Sequence, residues 1–115
     1  MRYLLLIYGN EAAEAARSPE EQQAEFAAHI PYSQEMSEKG VMVGGDVLLP
    51  TSAATSVRVR DGKPLITHGP FAETAEQLGG YYVIECANLD EALAWAAKNP
   101  SVQYGTIEVR PVMEL

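Results

Sequence analysis

The chain opens with a hydrophobic run that predicts a β-strand. Residues 2–8, Arg-Tyr-Leu-Leu-Leu-Ile-Tyr, are rich in β-forming residues and too few for a helix. Because the hydrophobic positions follow one another without polar alternation, the run is typical of a central strand buried on both faces. Residues 9–17 are rich in Ala and Glu but have no clear apolar face. We therefore expect a loop there, which can include one helical turn.

A capping box then predicts the first long helix. Ser18 stands at the N-cap, followed by Pro at N1 and Glu at N3, and a Lys-Gly pair at 39–40 marks the C-terminus. One face of this helix carries, at helical spacing, Phe26, His29, Ile30, Ser33, Met36 and Ser37. Pro31 lies inside the helix and removes a backbone hydrogen bond, which costs about 3 kcal/mol. We expect a kink or break near it.

The middle of the chain predicts a strand and a hairpin. Residues 41–50 form a strand with a glycine bend, and Thr55–Arg60 alternates apolar and basic residues. Asp61-Gly62 is a strong hairpin-turn signal, after which residues 64–67 form the returning strand. In this alternation Val57 and Val59 share one face of the strand, and Arg58 and Arg60 share the other.

The rest of the chain predicts a loop, a strand, a helix and a last strand. Residues 68–78 have an irregular pattern, and Gly79-Gly80 leads into a strand that ends at Cys86. A second capping signature at residues 88–91 begins a helix that ends before Asn99-Pro100. Gly105–Arg110 alternates again.

The order β–α–β–hairpin–β–α–β predicts one domain over residues 1–115. With short right-handed crossovers this is an α+β fold, a ferredoxin-like split β-α-β arrangement with an antiparallel sheet and an extra hairpin. Both helices would cover one face of the sheet. Because apolar residues occupy both faces of the central strands, something must cover the second face, and we predict a homodimer that packs through its sheets.

The charge and composition of the chain limit the classes of molecule that it is expected to bind. The chain has 115 residues, 16 acids and 8 bases, which leaves a net charge of −8. Such a balance disfavours nucleic acid and anionic membranes as partners, since both are bound by clustered Lys and Arg. A single cysteine, Cys86, excludes an internal disulfide and a cysteine-based zinc site and favours a cytoplasmic location. The apolar N-terminus has no cleavage-type sequel, so we expect no secretory peptide and no membrane span.

Residues 68–82, His-Gly-Pro-Phe-Ala-Glu-Thr-Ala-Glu-Gln-Leu-Gly-Gly-Tyr-Tyr, resemble the signature of the DGPF-type branch of the YCII-related family. Residues 2–8, 44–46 and 104–111 also match that pattern, so the resemblance covers nearly the whole chain. It implies a dimeric α+β barrel among small bacterial proteins whose biochemical role is largely undefined. In the broader family a His–Asp pair in a cleft has been taken as an active site.

Two positions depart from the branch pattern. His68 stands where Asp is usual, and Ala75 stands where Lys is usual. If those side chains carry the function of the family, this protein has lost or altered it.

Four residues are candidates for acid–base catalysis: His29, Asp46, His68 and Glu73. A histidine beside a carboxylate can act as a general base because its pKa lies near neutrality. His68 and Glu73 share the Gly-Pro loop, where the alternative is a purely structural turn. Asp46 follows the glycine bend, and its alternative role is to pair with an arginine or with backbone N–H groups. His29 lies on the apolar helix face, where a lone histidine is more often a hydrogen-bonded core residue.

Four further residues are candidates for ligand binding: Arg58, Arg60, Arg110 and Tyr82. If the valines of these alternating strands face the helices, the three arginines share the open face of the sheet and create a basic cleft for a small polar or anionic ligand. The alternative is that they pair with acids across strands or across the dimer. Cys86 is expected to be buried packing rather than a nucleophile. The histidine spacing predicts no metal site, and no cofactor motif is present.

Three functional hypotheses follow. The first is a small enzyme that uses a His–carboxylate pair in a cleft on a small polar metabolite. The second is a non-catalytic ligand-binding or regulatory module associated with transcription or signalling partners, which the substitutions at the motif favour. The third, a cofactor-free monooxygenase, depends on the barrel alone, and a fold does not determine a function.

Overall fold

The computed structural model describes residues 1–115. The six strands are β1 (Arg2–Gly9), β2 (Met42–Val47), β3 (Thr55–Arg60), β4 (Lys63–His68), β5 (Gln77–Glu85) and β6 (Thr106–Pro111). The helices are α1 (Glu11–Ala16), α2 (Pro19–Glu38) and α3 (Leu89–Lys98), with short 3-10 helices at Thr51–Ala53 and Pro100–Gln103.

Four strands form one antiparallel sheet in the order β2-β5-β1-β6, and β3 and β4 form a separate two-stranded hairpin. The strands that flank each long helix are separated in the sheet by one other strand, as a split β-α-β unit requires. The predicted α+β class, antiparallel sheet and extra hairpin are therefore confirmed.

The core lies between this sheet and helices α2 and α3. It consists of Tyr3, Leu5, Tyr32, Met36, Ile84, Cys86, Ala92, Trp95 and Ala96. Strand β1 supplies Tyr3 and Leu5 from one face, because alternate residues of a strand point the same way. On its other face Leu4 and Leu6 are half-buried, and no helix of this chain packs there to bury them fully. Burial raises the pKa of the Cys86 thiol, which fits the packing role expected of it.

Two local expectations need correction: a loop over residues 9–17 and a break at Pro31. Most of the predicted loop at 9–17 is helix α1, which begins because the side chain of Asn10 accepts a hydrogen bond from the Ala13 N–H at 2.8 Å. Helix α2 continues through Pro31 as one element of 20 residues. The next turns bury Tyr32 and Met36 in the core, and that packing outweighs one missing hydrogen bond.

The hairpin also differs from expectation. Val57 and Val59 do not face the helices: their exposed fractions are 62% and 59%. They were expected to belong to the main sheet, whereas β3 pairs only with β4. A local period of two predicts a strand but not which sheet the strand joins.

No helix is long and apolar enough to cross a membrane.

Candidate functional site

A cavity of about 840 Å³ lies beside α2, bounded by α1 on one side and by β2 and β5 on the other. Most of its lining is apolar or backbone, including Ile7, Phe26, Ile30, Leu48, Leu49 and Leu78. Its polar side chains include His29, Tyr82, Ser101, Glu25 and Arg17. The site therefore combines an apolar wall with one polar corner, as small-molecule sites commonly do.

His29 is the centre of that polar corner. Its Nδ1 lies 2.7 Å from the hydroxyl of Tyr82, and its Nε2 lies 2.8 Å from Oγ of Ser101. The imidazole also stacks on the Tyr82 ring, with centroids 5.8 Å apart and planes 18° apart. Three elements thus hold the ring in place: α2, β5 and the 3-10 helix that follows α3.

The hydrogen-bond partners determine the tautomer of His29. Ser101 donates its hydroxyl proton to Oε2 of Glu25 at 2.7 Å, because a carboxylate only accepts. Ser101 must then accept from Nε2–H of His29. In the neutral ring Nδ1 is consequently the acceptor, and Tyr82 donates its O–H to it. The result is a one-way chain of hydrogen bonds, in which Tyr82 donates to His29, His29 donates to Ser101, and Ser101 donates to Glu25.

Arg17 is the last member of this hydrogen-bonded chain, beyond Glu25. Its Nη2 donates to Oε1 of Glu25 at 2.5 Å, and both side chains are about 15% exposed. The guanidinium also lies 3.9 Å from the centroid of the Tyr104 ring. Both carboxylate oxygens of Glu25 thus accept a hydrogen bond from within the protein. The Nη1 atom of Arg17 is buried without a partner.

The protonation of the site follows from burial. Desolvation lowers the pKa of His29 below its ordinary 6.5, and the nearby charge of Glu25 opposes this shift. Desolvation also raises the pKa of Tyr82. At neutral pH the corner therefore contains a neutral imidazole, ready to accept a proton, and an intact phenol.

Glu14 is a further carboxyl group on the wall of the cavity. Burial first, and then repulsion from Glu25, raise its pKa. Its side chain lies against Gly9, where a Cβ atom would collide with the carboxylate. A carboxyl group with a raised pKa at a cavity wall can exchange protons with a ligand.

Asp46 borders the same cavity as His29, but its carboxylate does not reach the imidazole. Asp46 is the cross-strand partner of Tyr81, which donates its O–H to Oδ2 at 2.8 Å and whose pKa this bond raises. Tyr82, the next residue, faces α2, so Tyr81 and Asp46 lie on the opposite face of the sheet. The carboxylate linked to His29 is Glu25, through Ser101.

The other two catalytic candidates lie apart from this site. His68 is the last residue of β4, paired with Thr55 in the hairpin, and it is exposed. Glu73 is exposed in the loop that leads to β5. Neither lines the cavity.

The predicted basic face of the sheet is not formed. Arg58 and Arg60 lie on the separate hairpin, whereas Arg110 lies on β6 of the main sheet, with Nη2 2.7 Å from the carboxylate of Glu108. The reason is again that β3 does not join the main sheet. Of the four ligand-binding candidates, Tyr82 alone lines the cavity.

Three residues of the hydrogen-bonded chain were missed: Arg17, Glu25 and Ser101. One signal was available, because Glu25 precedes His29 by four residues and so shares its helix face. Nothing in the local sequence points to Ser101, which the turn after Asn99 brings to the site. No group of three or more His, Cys, Asp or Glu side chains is arranged to hold a metal ion.

Comparison with known proteins identifies the family. The profile of the YCII-related domain matches residues 1–115. The chain belongs to the YCII-related family. An uncharacterised protein of Rhizobium meliloti (strain 1021) is 39% identical over 114 residues, covering 97% of this chain and 92% of the relative.

A solved structure shares the fold of this YCII-related protein. It is 5-chloro-2-hydroxyhydroquinone dehydrochlorinase from Burkholderia phenoliruptrix AC1100, in complex with 2,5-dihydroxybenzoquinone. The TM-score is 0.60 at 14% identity, covering 98% of this chain and 94% of that one. At this identity the likeness describes the fold alone.

Proposed function

We propose that this protein is an enzyme that transfers protons on a small hydroxylated molecule bound in the cavity beside α2. The observation that carries the proposal is the one-way hydrogen-bonded chain Tyr82–His29–Ser101–Glu25, which ends at an apolar cavity. A purely structural histidine needs hydrogen-bond partners for its ring nitrogens. It does not need an adjacent cavity or a carboxylate that is linked to it through a hydroxyl group.

In the proposed mechanism Tyr82 touches the substrate and His29 acts through it. The Tyr82 oxygen accepts a proton from the substrate while its own proton passes to Nδ1 of His29. The imidazolium that forms donates Nε2–H to Ser101, and the negative charge of Glu25 behind Ser101 stabilises it. The electron pair left on the substrate expels a leaving group or is protonated at another atom.

The substrate class follows from the lining. The apolar wall suits a flat ring, and the polar corner suits a hydroxyl group on it. Acids outnumber bases around the cavity, with Glu11, Glu14 and Glu25 against Arg17. This charge disfavours the anionic ligands considered from the sequence and favours a neutral one. The similar dehydrochlorinase, named for a chlorinated hydroxyhydroquinone, makes neutral phenols with a leaving group reasonable probes.

Tyrosine variants test the proposal. Tyr82→Phe removes the reacting oxygen, and Tyr32→Phe is its matched control because Tyr32 donates to the carbonyl of Trp95 outside the cavity. With 5-chloro-2-hydroxyhydroquinone as probe, we expect chloride release by the wild type and by Tyr32→Phe, and at least a ~100-fold slower rate for Tyr82→Phe. Equal rates for all three proteins would contradict the mechanism.

A ligand-binding module is the second candidate. Both nitrogens of His29 are already bonded within the protein, which also suits a preformed binding wall. Binding of the same probe that depends on Tyr82, without chloride release, would favour this role over catalysis.

The remaining proposals concern assembly and location. We propose a homodimer in which the half-buried Leu4 and Leu6 of β1 face a second copy. A reduced cytoplasm is the proposed location, since Cys86 has no partner within the chain. Sedimentation over a range of protein concentrations measures the dimer directly.

A further inference from the structure

The β3–β4 hairpin has two chemically different faces. Cross-strand pairing places Val57 beside Ile66 and Val59 beside Pro64 on one face. The other face carries the pairs Arg58–Leu65 and Arg60–Lys63. The hairpin thus contains three of the eight basic residues of the chain and one acid, Asp61. It is a basic segment in a chain whose net charge is −8.

Nothing in its own chain covers the apolar face of this hairpin. The exposed fractions of Val57, Val59 and Ile66 are 62%, 59% and 65%. Its side-chain hydrogen bonds to the rest of the chain are confined to its base, where Ser56 donates to the carbonyl of Gly69. An isolated two-stranded hairpin is marginally stable in water, so an extended hairpin of this kind is typical of one that packs on a partner.

The rim of the cavity is the complementary surface. Phe26, Ile30, Val47 and Leu49 border the cavity with exposed fractions of 64%, 57%, 70% and 77%. The lining behind them is acidic. None of residues 55–68 lines the cavity of its own chain, so the rim is uncovered in the single chain.

We propose that the β3–β4 hairpin of one copy packs over the cavity of a second copy, and reciprocally. Its apolar face would cover the exposed rim. Its basic residues, on the opposite face, would attract the acidic side chains of the cavity across the hairpin, over roughly a Debye length of 8–10 Å. The opposite charges of the two surfaces are what favour a second copy over an unrelated protein. The inference depends on the proposed homodimer and not on the proposed chemistry.

Closing the cavity in this way gives the second copy a role in the site. The partner hairpin would exclude water from the Tyr82–His29 corner and place positive charge over an acidic wall. A closed, dry cavity strengthens every electrostatic interaction inside it. The site is then incomplete in a single chain.

Cysteine pairing on mixed chains tests the contact. Ile66→Cys places a thiol on the apolar face of the hairpin, opposite Val57, and Ser33→Cys places one on the cavity wall. Ser37→Cys is a matched control on the same helix outside the cavity. Wild type, with its buried Cys86, is the blank. With a short bismaleimide we expect Ile66→Cys and Ser33→Cys chains to cross-link at least ~10-fold more than Ile66→Cys and Ser37→Cys chains.

Two other outcomes overturn the inference. Equal or absent cross-linking of the two pairs would mean that the hairpin does not reach the partner cavity. In a chain that carries both Ile66→Cys and Ser33→Cys, preferential cross-linking within one chain on dilution would mean that the hairpin folds over its own cavity.

Excision of the hairpin separates this contact from the dimer itself. The N–H of Gly69 donates to the carbonyl of Ala54 at 2.6 Å, so residues 55–68 can be replaced by a short glycine linker without stretching the body. We expect the excised chain to keep the wild-type far-UV spectrum of the sheet and helices and to dimerise at least ~10-fold more weakly. Unchanged dimerisation of the excised chain would overturn the inference but not the proposed sheet dimer. A monomeric wild type would overturn both the hairpin contact and the dimer. Neither result bears on the chloride-release test.

Discussion

His29 and Ser101 are separated by 72 residues in the chain, yet Nε2 of one lies 2.8 Å from Oγ of the other. Because the same Oγ donates to Glu25, the serine connects the imidazole to a carboxylate that the histidine does not contact itself. This single hydroxyl determines which ring nitrogen carries the proton.

Replacing Ser101 by Ala should therefore change both stability and tautomer. The variant leaves Nε2–H and one oxygen of Glu25 without their partner, at a cost of about 1–3 kcal/mol in the free energy of unfolding. Denaturant titration measures the cost, and long-range ¹H–¹⁵N spectra of the imidazole report the tautomer. Ser33→Ala is the control, since Ser33 bonds only to the Ile30 carbonyl; an equal effect there would contradict the role given to Ser101.

The Arg17–Glu25 pair predicts a strong non-additive effect. Both side chains are largely buried, so Arg17→Met leaves a buried carboxylate unpaired and should destabilise the fold by about 3 kcal/mol. The double variant Arg17→Met/Glu25→Met removes both charges and should recover much of that loss. A double-mutant cycle by thermal or denaturant unfolding measures the coupling. Additive effects of the two single substitutions would show that the pair is not energetically coupled.

Acid should destabilise the protein partly through His29. Burial holds the pKa of His29 below 6.5 in the folded chain, while the unfolded chain titrates near that ordinary value. As the pH falls below about 6.5 the unfolded state binds a proton that the folded state does not, so stability declines with falling pH. His29→Gln should flatten the curve of unfolding free energy between pH 7 and 5.5. His68→Gln, which changes an exposed residue, should keep the wild-type slope; if it flattens the curve instead, His29 is not the group responsible.

Two adjacent glycines should respond differently to alanine. A Cβ atom at Gly45 would lie 2.6 Å from the carbonyl oxygen of Tyr81 and 3.0 Å from Cδ1 of Tyr82, whereas a Cβ atom at Gly44 meets nothing within 4 Å. Gly45→Ala should push β2 away from β5 and cost about 1–3 kcal/mol. It should also shift the Tyr82 and His29 resonances, because Tyr82 is one of the displaced groups. Gly44→Ala should leave both nearly unchanged, and similar losses at the two positions would refute the packing argument.

The sequence predicted most of the fold because local patterns determine most of it. The capping box at Ser18 and the apolar run of β1 lie where expected, as do the strands that follow. Local patterns do not show which sheet a strand joins. The prediction that the hairpin arginines lie on the main sheet was therefore wrong. The penalty for Pro31 is likewise local, while the packing that outweighs it is tertiary.

The candidate site was predicted only in part for the same reason. His29 and Tyr82 were selected and both line the cavity, but their partners come from distant segments. Asp46 was predicted from its place after a glycine bend. Because side chains alternate along β5, the hydrogen-bond partner of Asp46 is Tyr81 and not the imidazole of His29. A hydrogen-bonded chain drawn from an α1–α2 turn, a helix, a strand and a 3-10 helix has no signature in any one stretch of sequence.

The central position of β1 has a consequence for how the protein is made. Tyr3 pairs with Ile84 on one side and with Pro111 on the other, so the second edge of β1 is closed only after β6 has been synthesised. Contacts this distant in sequence slow folding and leave a hydrophobic strand unpaired meanwhile. Strand β1 is therefore the segment that most needs protection from aggregation until β6 has been made.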